Sequence, residues 1–302
     1  MDIRQLAALT AVVDHGTFSA AARALHTVQS NVSTHIARLE KELGVVLIDR
    51  ATGLLTEEGA VVVDRARRIQ AELQAISTDI AALRDEISGT LRAGVIGTTG
   101  RWLVPKVLEV AAERFPLVHI QVVDATTTAL VPLVIAGSLD GAIVNLPIDH
   151  PDLVVEELFQ EERILVAPDG HPLASYEFVE PEDLARYPLL LNPPGVAFRD
   201  EIDTELRRLG VTLTPLGEVD GMRLLASLAF DGFGAAILPA SAAVGTGPWQ
   251  RVPVRGLTRR SVGLAFNRRV PASATARAIR DVLRSVITDH GPDQPGIYPT
   301  GS

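Results

Sequence analysis

Apolar residues at Ile3, Leu6, Leu9 and Val13 recur at steps of three and four, which places them on one face of an α-helix. After Gly16, Thr17 stands where a cap would sit for a short second helix, SAAARAL, whose alanines permit close packing. His26 and Thr27 then turn the chain into a third helix, where Val32, Ile36, Leu39 and Leu43 form one apolar stripe. Ser30, Thr34, Arg38 and Lys41 fall together on the opposite side, with Asn31 flanking them and no acid before Glu42. Gly44 ends this helix, and VVLIDRATGLLT follows as two short extended runs around Ala51–Gly53.

Helix, short helix, tight turn, longer helix and small hairpin is the element order of a winged helix-turn-helix, in which the helix after the turn enters the major groove of DNA. A polar face opposite a core stripe is more often simply solvated. The rest of the chain has to say what this one touches.

Farther on, Val62, Ala66, Ile69, Leu73, Ile76, Ile80, Leu83 and Ile87 step alternately by four and three, an unbroken heptad seam. From Glu57 to Ser88 the only Gly or Pro is Gly59, so the pattern predicts one helix of roughly 45 Å at 1.5 Å per residue. A stripe this narrow suits a helix–helix seam better than a broad globular face, which favours a dimerisation helix. From Leu91 the texture alternates between β and α. LRAGVIG, VHIQVVD, DGAIVN, RILVAP, LLLNPP and AAILPA are strand-like, with helices at Pro105–Phe115, Ala129–Ala136, Asp200–Leu209 and Met222–Phe230. Such alternation predicts a mostly parallel sheet covered by helices, in one large or two small α/β lobes. The last stretch, DHGPDQPGIYPTGS, is rich in Pro and Gly and is expected to fray.

Composition narrows the reading. The chain of 302 residues is 47% hydrophobic, enough for two or three units with sizeable cores. No stretch is long and apolar enough for a membrane span and no signal peptide opens the chain, so a cytoplasmic protein is expected. Zero cysteine excludes disulfides, thiolate nucleophiles and Cys-based zinc sites. The net charge of −9 argues against a general coat for nucleic acid, while residues 1–50 carry five charges of each sign and leave room for a local DNA site.

The chain resembles a LysR-type transcriptional regulator from about residue 2 to 288. The likeness rests chiefly on Leu6, Phe18, Ala21, Ala22, Leu25, Gln29, Ser33, Ile36, Leu39, Glu40, Leu43, Gly44, Leu47, Arg50, Thr56 and Gly59, which match the family pattern in order and spacing. Weaker echoes are Pro105, Phe115–Pro116, Gly137, Leu139, Asp140, His171–Pro172–Leu173 and GFGAAILP at 232–239. The resemblance implies an α+β multidomain fold. By that likeness residues 1–57 would form the winged helix-turn-helix and 58–90 the dimerising linker helix. Residues 91–288 would form a two-lobed α/β effector-binding domain resembling a periplasmic solute-binding protein, with 289–302 a flexible tail. Lobe one would be 91–162 plus 265–288 and lobe two 163–264, with crossings near Glu161–Arg163 and Val262–Phe266.

Departures from the pattern are plain. Val28-Gln29-Ser30 replaces the usual Ser-Gln-Pro, so Thr27 is expected to cap the helix one residue earlier; Thr34 stands where a basic residue is common; the wing RATGLLT is short and lacks a second Arg.

Candidate DNA contacts follow. Gln29 has the chemistry to grip an adenine edge, Ser30, Asn31, Ser33 and Thr34 to donate to phosphates or bases, and Arg38 and Arg50 to neutralise phosphates. Glu40 is expected to support the fold instead. In the effector region, Thr98, Thr99 and Gly100 lie between a strand and the next helix and Thr126, Thr127 and Thr128 end the following strand; such junctions offer N–H and hydroxyl groups to a carboxylate. Asn145, Val196, Phe198 and Arg199 face the same cleft by analogy with the family. Arg199 would either pair with an acidic ligand or form a surface salt bridge, and a small organic acid is the expected effector.

Enzyme signals are poor. GFGAAI lacks the third glycine of a dinucleotide loop, there is no G-x-S-x-G, H-E-x-x-H or P-loop, and the seven histidines show no metal-ligand spacing. The expected protein is a homodimer, tetrameric by the family's habit, that binds operator DNA and a small molecule, with no catalytic residue, metal or cofactor. The alternative is a cytoplasmic small-molecule-binding or enzymatic α/β protein whose N-terminal helices serve only association.

Overall fold

A computed structural model describes residues 1–49, 52–83 and 86–300. The first unit holds α1 (Ile3–His15), α2 (Phe18–Ala24) and α3 (Gln29–Leu43). A capping box of Asp2 and Gln5 starts α1, and Thr17 accepts from the Ala20 N–H to start α2. His26, in the left-handed region at φ 51°, makes the tight turn before α3. Leu6, Leu9, Ala21, Ala22, Val32, Ile36 and Leu39 meet in one buried core with Leu47 and Ile48. Leu43 does not join them; it is 40% exposed at the last turn of α3, where the helix has run past its neighbours. The wing is reduced to one antiparallel bridge, Ile48 to Leu55. Arg50, one of the expected phosphate contacts, and Ala51 lie outside the described residues.

Next, α4 spans Glu57–Ala82, about 39 Å at 1.5 Å per residue. Gly59 in its first turn is a packing requirement, since a Cβ there would stand 2.1 Å from the Leu47 carbonyl oxygen. The helix stops before the end of the heptad pattern: Leu83 lies beyond it and Ile87 precedes a strand. The chain is instead claimed by β1 (Ser88–Val95), and the Ser88 carbonyl accepts from Thr275 Oγ1 at 2.6 Å.

The remaining elements in chain order are α5 (Gly97–Arg114), β2 (Leu117–Asp124), α6 (Thr127–Ile135), β3 (Gly141–Asn145), β4 (Leu153–Glu161), β5 (Arg163–Pro168), α7 (Pro181–Leu184), β6 (Leu189–Leu191) and α8 (Ala197–Arg208). They continue with β7 (Pro215–Glu218), α9 (Met222–Phe230), β8 (Ala236–Pro239), β9 (Trp249–Pro253), β10 (Arg260–Asn267), α10 (Ala274–His290) and β11 (Ile297–Pro299). Two sheets result, ordered β11-β4-β10-β3-β1-β2 and β7-β6-β8-β5-β9. Both are mixed, not mostly parallel: β1 runs parallel to β2 and β3, and β6 to β7 and β8, while β10, β4, β11, β5 and β9 pair antiparallel. The antiparallel strands carry the chain across and back between the lobes, so each sheet must accept strands of both directions.

The crossing points shift accordingly. The outward passage is at Glu162, between β4 and β5. The return comes before Arg260, because β10 pairs with β4 from its first residue, so 260–264 belong to the first sheet and not to lobe two. The tail does not fray as expected: β11 pairs with β4, and Ile297 is buried in the lobe-one core.

Two links tie α4 to lobe one. Near its middle, Arg68 Nη2 donates to the Ile135 carbonyl at 2.8 Å and Arg67 Nη1 to Ser138 Oγ at 3.4 Å. Twelve residues on, Asp79 Oδ1 accepts from the Ala274 N–H at 2.9 Å. The same helix grips α1 through Arg67 to Asp14 at 2.7 Å and Gln70 to Thr10 Oγ1 at 2.9 Å.

Candidate DNA interface and interlobe cleft

Gln29, Ser30, Asn31, Ser33, Thr34, Arg38 and Lys41 are all exposed on α3, opposite the buried Val32, Ile36 and Leu39. The N-cap is Val28, which offers no side-chain acceptor, so the first-turn N–H groups face outward without a side-chain cap. Thr27 does not take over that role; its Oγ1 accepts from Asn31 Nδ2 at 3.0 Å. Gln29 Oε1 accepts from Ser19 Oγ at 2.7 Å, which braces the reading helix against α2 while leaving the amide nitrogen outward. Thr34 Oγ1 donates to the Ser30 carbonyl at 2.8 Å. Ser33 and Arg38 have no side-chain partner among the described residues. Glu40 is structural: its Oε1 accepts from the Leu47 N–H at 2.9 Å and anchors the start of the wing.

Between the lobes a cavity of about 420 Å³ is lined by Gly97, Thr98, Gly100 and Arg101 from α5, Asp124 from β2, and Arg223 and Ala226 from α9. Its volume suits a small organic molecule. The GTTG stretch is not a loop before the helix but the first turn of α5 itself, which begins at Gly97. Thr98 is on the wall, and Thr99 is fully buried with its hydroxyl unpaired among the described residues. Arg223 of lobe two reaches Asp124 of lobe one at 2.6 Å across the mouth, an exposed ion pair worth little in itself. A Cβ on Gly97 would come within 2.9 Å of Asp124 Oδ1, so a bare backbone is what lets this carboxylate approach α5.

The profile described as the bacterial regulatory helix-turn-helix protein of the lysR family matches residues 3–60, and that of the LysR substrate binding domain matches residues 84–288. The chain belongs to the LysR family of transcriptional regulators. A probable hydrogen peroxide-inducible genes activator of Mycobacterium leprae is 33% identical over 306 residues, 95% of each chain. The DNA-binding transcriptional dual regulator OxyR of Escherichia coli is 28% identical over 300 residues, 96% of this chain and 97% of that one. In fold, a full-length cysteine-to-aspartate variant of OxyR from Pseudomonas aeruginosa superposes with a TM-score of 0.76 at 24% identity, covering 95% of this chain and 94% of that chain.

Within this LysR-family regulator the other expected effector residues do not line the 420 Å³ cavity. Thr126 and Thr128 share a hydrogen bond of 2.9 Å, and Thr127 Oγ1 accepts from the Asn145 N–H at 3.0 Å, tying α6 to the end of β3. Asn145 Oδ1 is left buried without a partner among the described residues. Val196 is the half-buried N-cap of α8, and Phe198 is part of the lobe-two core. Arg199 takes the salt-bridge reading, though in the interior: it is buried, donates to Asp203 at 2.8 Å and to the Asn192 carbonyl at 2.9 Å, and lies 3.6 Å from Glu218. A guanidinium so engaged has little left for an acidic ligand. Sequence reasoning missed Arg101, Asp124 and Arg223, whose exposed charged positions carry no periodic signal.

On α4 the seam divides. Ala66 packs into the DNA-binding unit, whereas Ile69, Leu73, Ile76 and Ile80 are exposed, Ile76 by 57%. No helix among the described residues is long and apolar enough to cross a membrane.

Proposed function

We propose that this LysR-family regulator reads a double-stranded operator with α3, and that a small organic acid held between its lobes modulates the binding. The observation that carries the first half is the sidedness of α3. Gln29, Ser30, Asn31, Ser33, Thr34 and Arg38 are all exposed on a helix whose other face is core. Gln29 would contact a base edge; Ser30, Asn31, Ser33 and Thr34 would meet bases or phosphates, and Arg38 would neutralise a phosphate. Arg50 belongs to the proposal through its place in the wing. The uncapped first turn adds N–H groups suited to a phosphate oxygen.

The exposed half of the α4 seam supports a homodimer, with dimers pairing into a tetramer, so that two copies of α3 reach successive major grooves. For the effector, Thr98 and Gly100 supply polar groups in the 420 Å³ cavity, with Arg101 and Arg223 as cations beside them. Thr99 follows Thr98 in the first turn of α5, whereas Thr126, Thr127, Thr128, Asn145, Val196, Phe198 and Arg199 lie outside this lining and take no part in the proposed site. The peroxide-inducible relatives raise oxidation as an alternative input. This chain has no cysteine, so a thiol reaction with peroxide is not open to it, and reversible binding is the input we propose.

A gel-shift titration of the full chain on its own upstream intergenic DNA, at two salt concentrations and beside an unrelated duplex, tests the reading. Selective, salt-sensitive binding is expected. Equal binding to both duplexes would remove the operator function and bring forward a solute-binding protein with an association module. Thr98→Val is expected to blunt the response to the acid and leave basal DNA binding unchanged; an unaltered dose-response takes Thr98 out of the site.

A further inference from the structure

A second cavity, of about 530 Å³, lies at the lobe junction and shares no lining residue with the one beside Thr98. Its wall includes Arg260, the first residue of β10, which is only 9% exposed. The side chain makes no hydrogen bond among the described residues. The closest carboxylate oxygen, Glu161 Oε1, is 4.0 Å from Nε, and the ring centroid of Phe198 is 5.2 Å from the guanidinium carbon. A guanidinium carries five N–H donors, and none of those of Arg260 meets a protein acceptor within hydrogen-bond distance among the described residues. Burial accordingly pushes the Arg260 guanidinium down from its ordinary value, with the Glu161 charge opposing.

The neighbouring charges are partly engaged, with Arg163 Nε and Glu161 Oε1 left without a hydrogen-bond partner among the described residues. Arg163 spends Nη1 on Glu205 and Nη2 on Glu201, both at 2.6 Å. Glu157 accepts from Ser261 Oγ at 2.8 Å and from Gln160 Nε2 at 3.1 Å. Arg259 stacks on Tyr298 at 3.4 Å and reaches Glu162 at 3.7 Å. Glu161, fully buried, accepts from the Ser241 N–H at 3.0 Å. The lining also includes the apolar Leu146, Pro147, Ile148 and Val155.

We propose that this cavity is a second ligand site, which takes a monocarboxylate with a short apolar body. Its two oxygens pair with the Arg260 guanidinium in the planar fork geometry that suits a carboxylate. Its hydrocarbon lies against Leu146, Ile148 and Val155. An inorganic oxyanion fits worse, because its free oxygens would meet those apolar side chains and the carboxylates of Glu157 and Glu201. The walls come from both lobes, Leu146 and Val155 from one and Arg163 and Glu201 from the other, so an occupant biases how the lobes sit.

The test is calorimetric titration of the full chain, without DNA, with benzoate, its neutral isostere benzamide and inorganic phosphate. Benzoate is expected to bind at least about tenfold tighter than either. Arg260→Gln should erase that preference, Val155→Trp should fill the cavity and abolish benzoate binding with an unchanged circular dichroism spectrum, and Thr98→Val should leave it intact. Benzamide or phosphate binding as well as benzoate overturns the proposal, as does a preference that survives Arg260→Gln. Loss on Thr98→Val alone moves the site to the other cavity. If Arg260→Gln does not fold, Val155→Trp and the three wild-type titrations decide. Because no DNA is present, a failed gel shift and a failed titration remain separate results.

Discussion

The reading face of α3 and the surroundings of the lobe junction both carry polar groups that the protein does not satisfy, at opposite cost. Ser33 and Arg38 face water and lose nothing by it. Thr99 Oγ1, Asn145 Oδ1, Glu161 Oε1 and Ser241 Oγ are buried without a hydrogen-bond partner among the described residues, and such groups cost about 1–3 kcal/mol each when neutral. An outward set must outcompete water, so discrimination there needs many contacts held in register. An inward set is already desolvated, and a single ligand atom in the right place recovers much of what burial cost.

The comparison breaks most widely if register is lost. Ile76→Asp, on the bare half of the seam, is expected to split the oligomer in light scattering and to weaken operator binding by about a hundredfold, since two half-sites then bind independently. Unchanged mass and affinity would mean that the seam is not the interface. Gln29→Ala should cost about tenfold in operator preference with the oligomer intact, read as the ratio of affinities for operator and unrelated DNA. A footprint equal to wild type removes Gln29 from the reading face.

The inward set is probed by stability. Thr99→Val keeps the shape and deletes an unmet hydroxyl, so the unfolding free energy should stay level or rise by about 1 kcal/mol. A clear fall would show that the hydroxyl has a partner. Glu205 is the satisfied counterpart. Burial would raise its carboxyl, but donation from the Thr258 N–H at 2.7 Å, Arg163 and the Thr258 hydroxyl outweighs this and holds it below the ordinary carboxylate range. Its stabilisation is therefore present above the unfolded value of about 4.3 and lost as pH falls through the depressed folded value. Glu205→Gln should slightly lower stability at neutral pH and flatten that acid decline; parallel pH profiles would contradict the assignment.

What could be read beforehand follows the same division. The stripe of Val32, Ile36 and Leu39 and the helix Met222–Phe230 are periodic, and periodicity reports burial directly. The end of α4 is not legible in the pattern because the heptads continue to Ile87, whereas Ser88 already pairs with Leu117 in the sheet. Strand β4 hid for another reason. The register shifts opposite Val262 and Gly263, so Leu158 and Phe159 are both buried and the alternation of inside and outside is lost. The fate of Arg199 was partly readable, since Asp203 stands four residues on along one helix. Arg260 was not, because the adjacent Arg259 has the same chemistry. Only the start of β10 decides which of the two turns inward.

The two attachments of α4 to lobe one bear on where a signal can travel. They are about 18 Å apart along the rod, so two separate points of α4, and not one, are fastened to lobe one. The DNA-binding unit is gripped by the same helix through Asp14 and Thr10, so one helix contacts both it and lobe one. Lobe two makes no hydrogen bond or ion pair to α4 among the described residues. A ligand's message would then not climb its own subunit's helix; it would leave sideways, through the outer surface of lobe two, to whichever neighbouring copy rests against it.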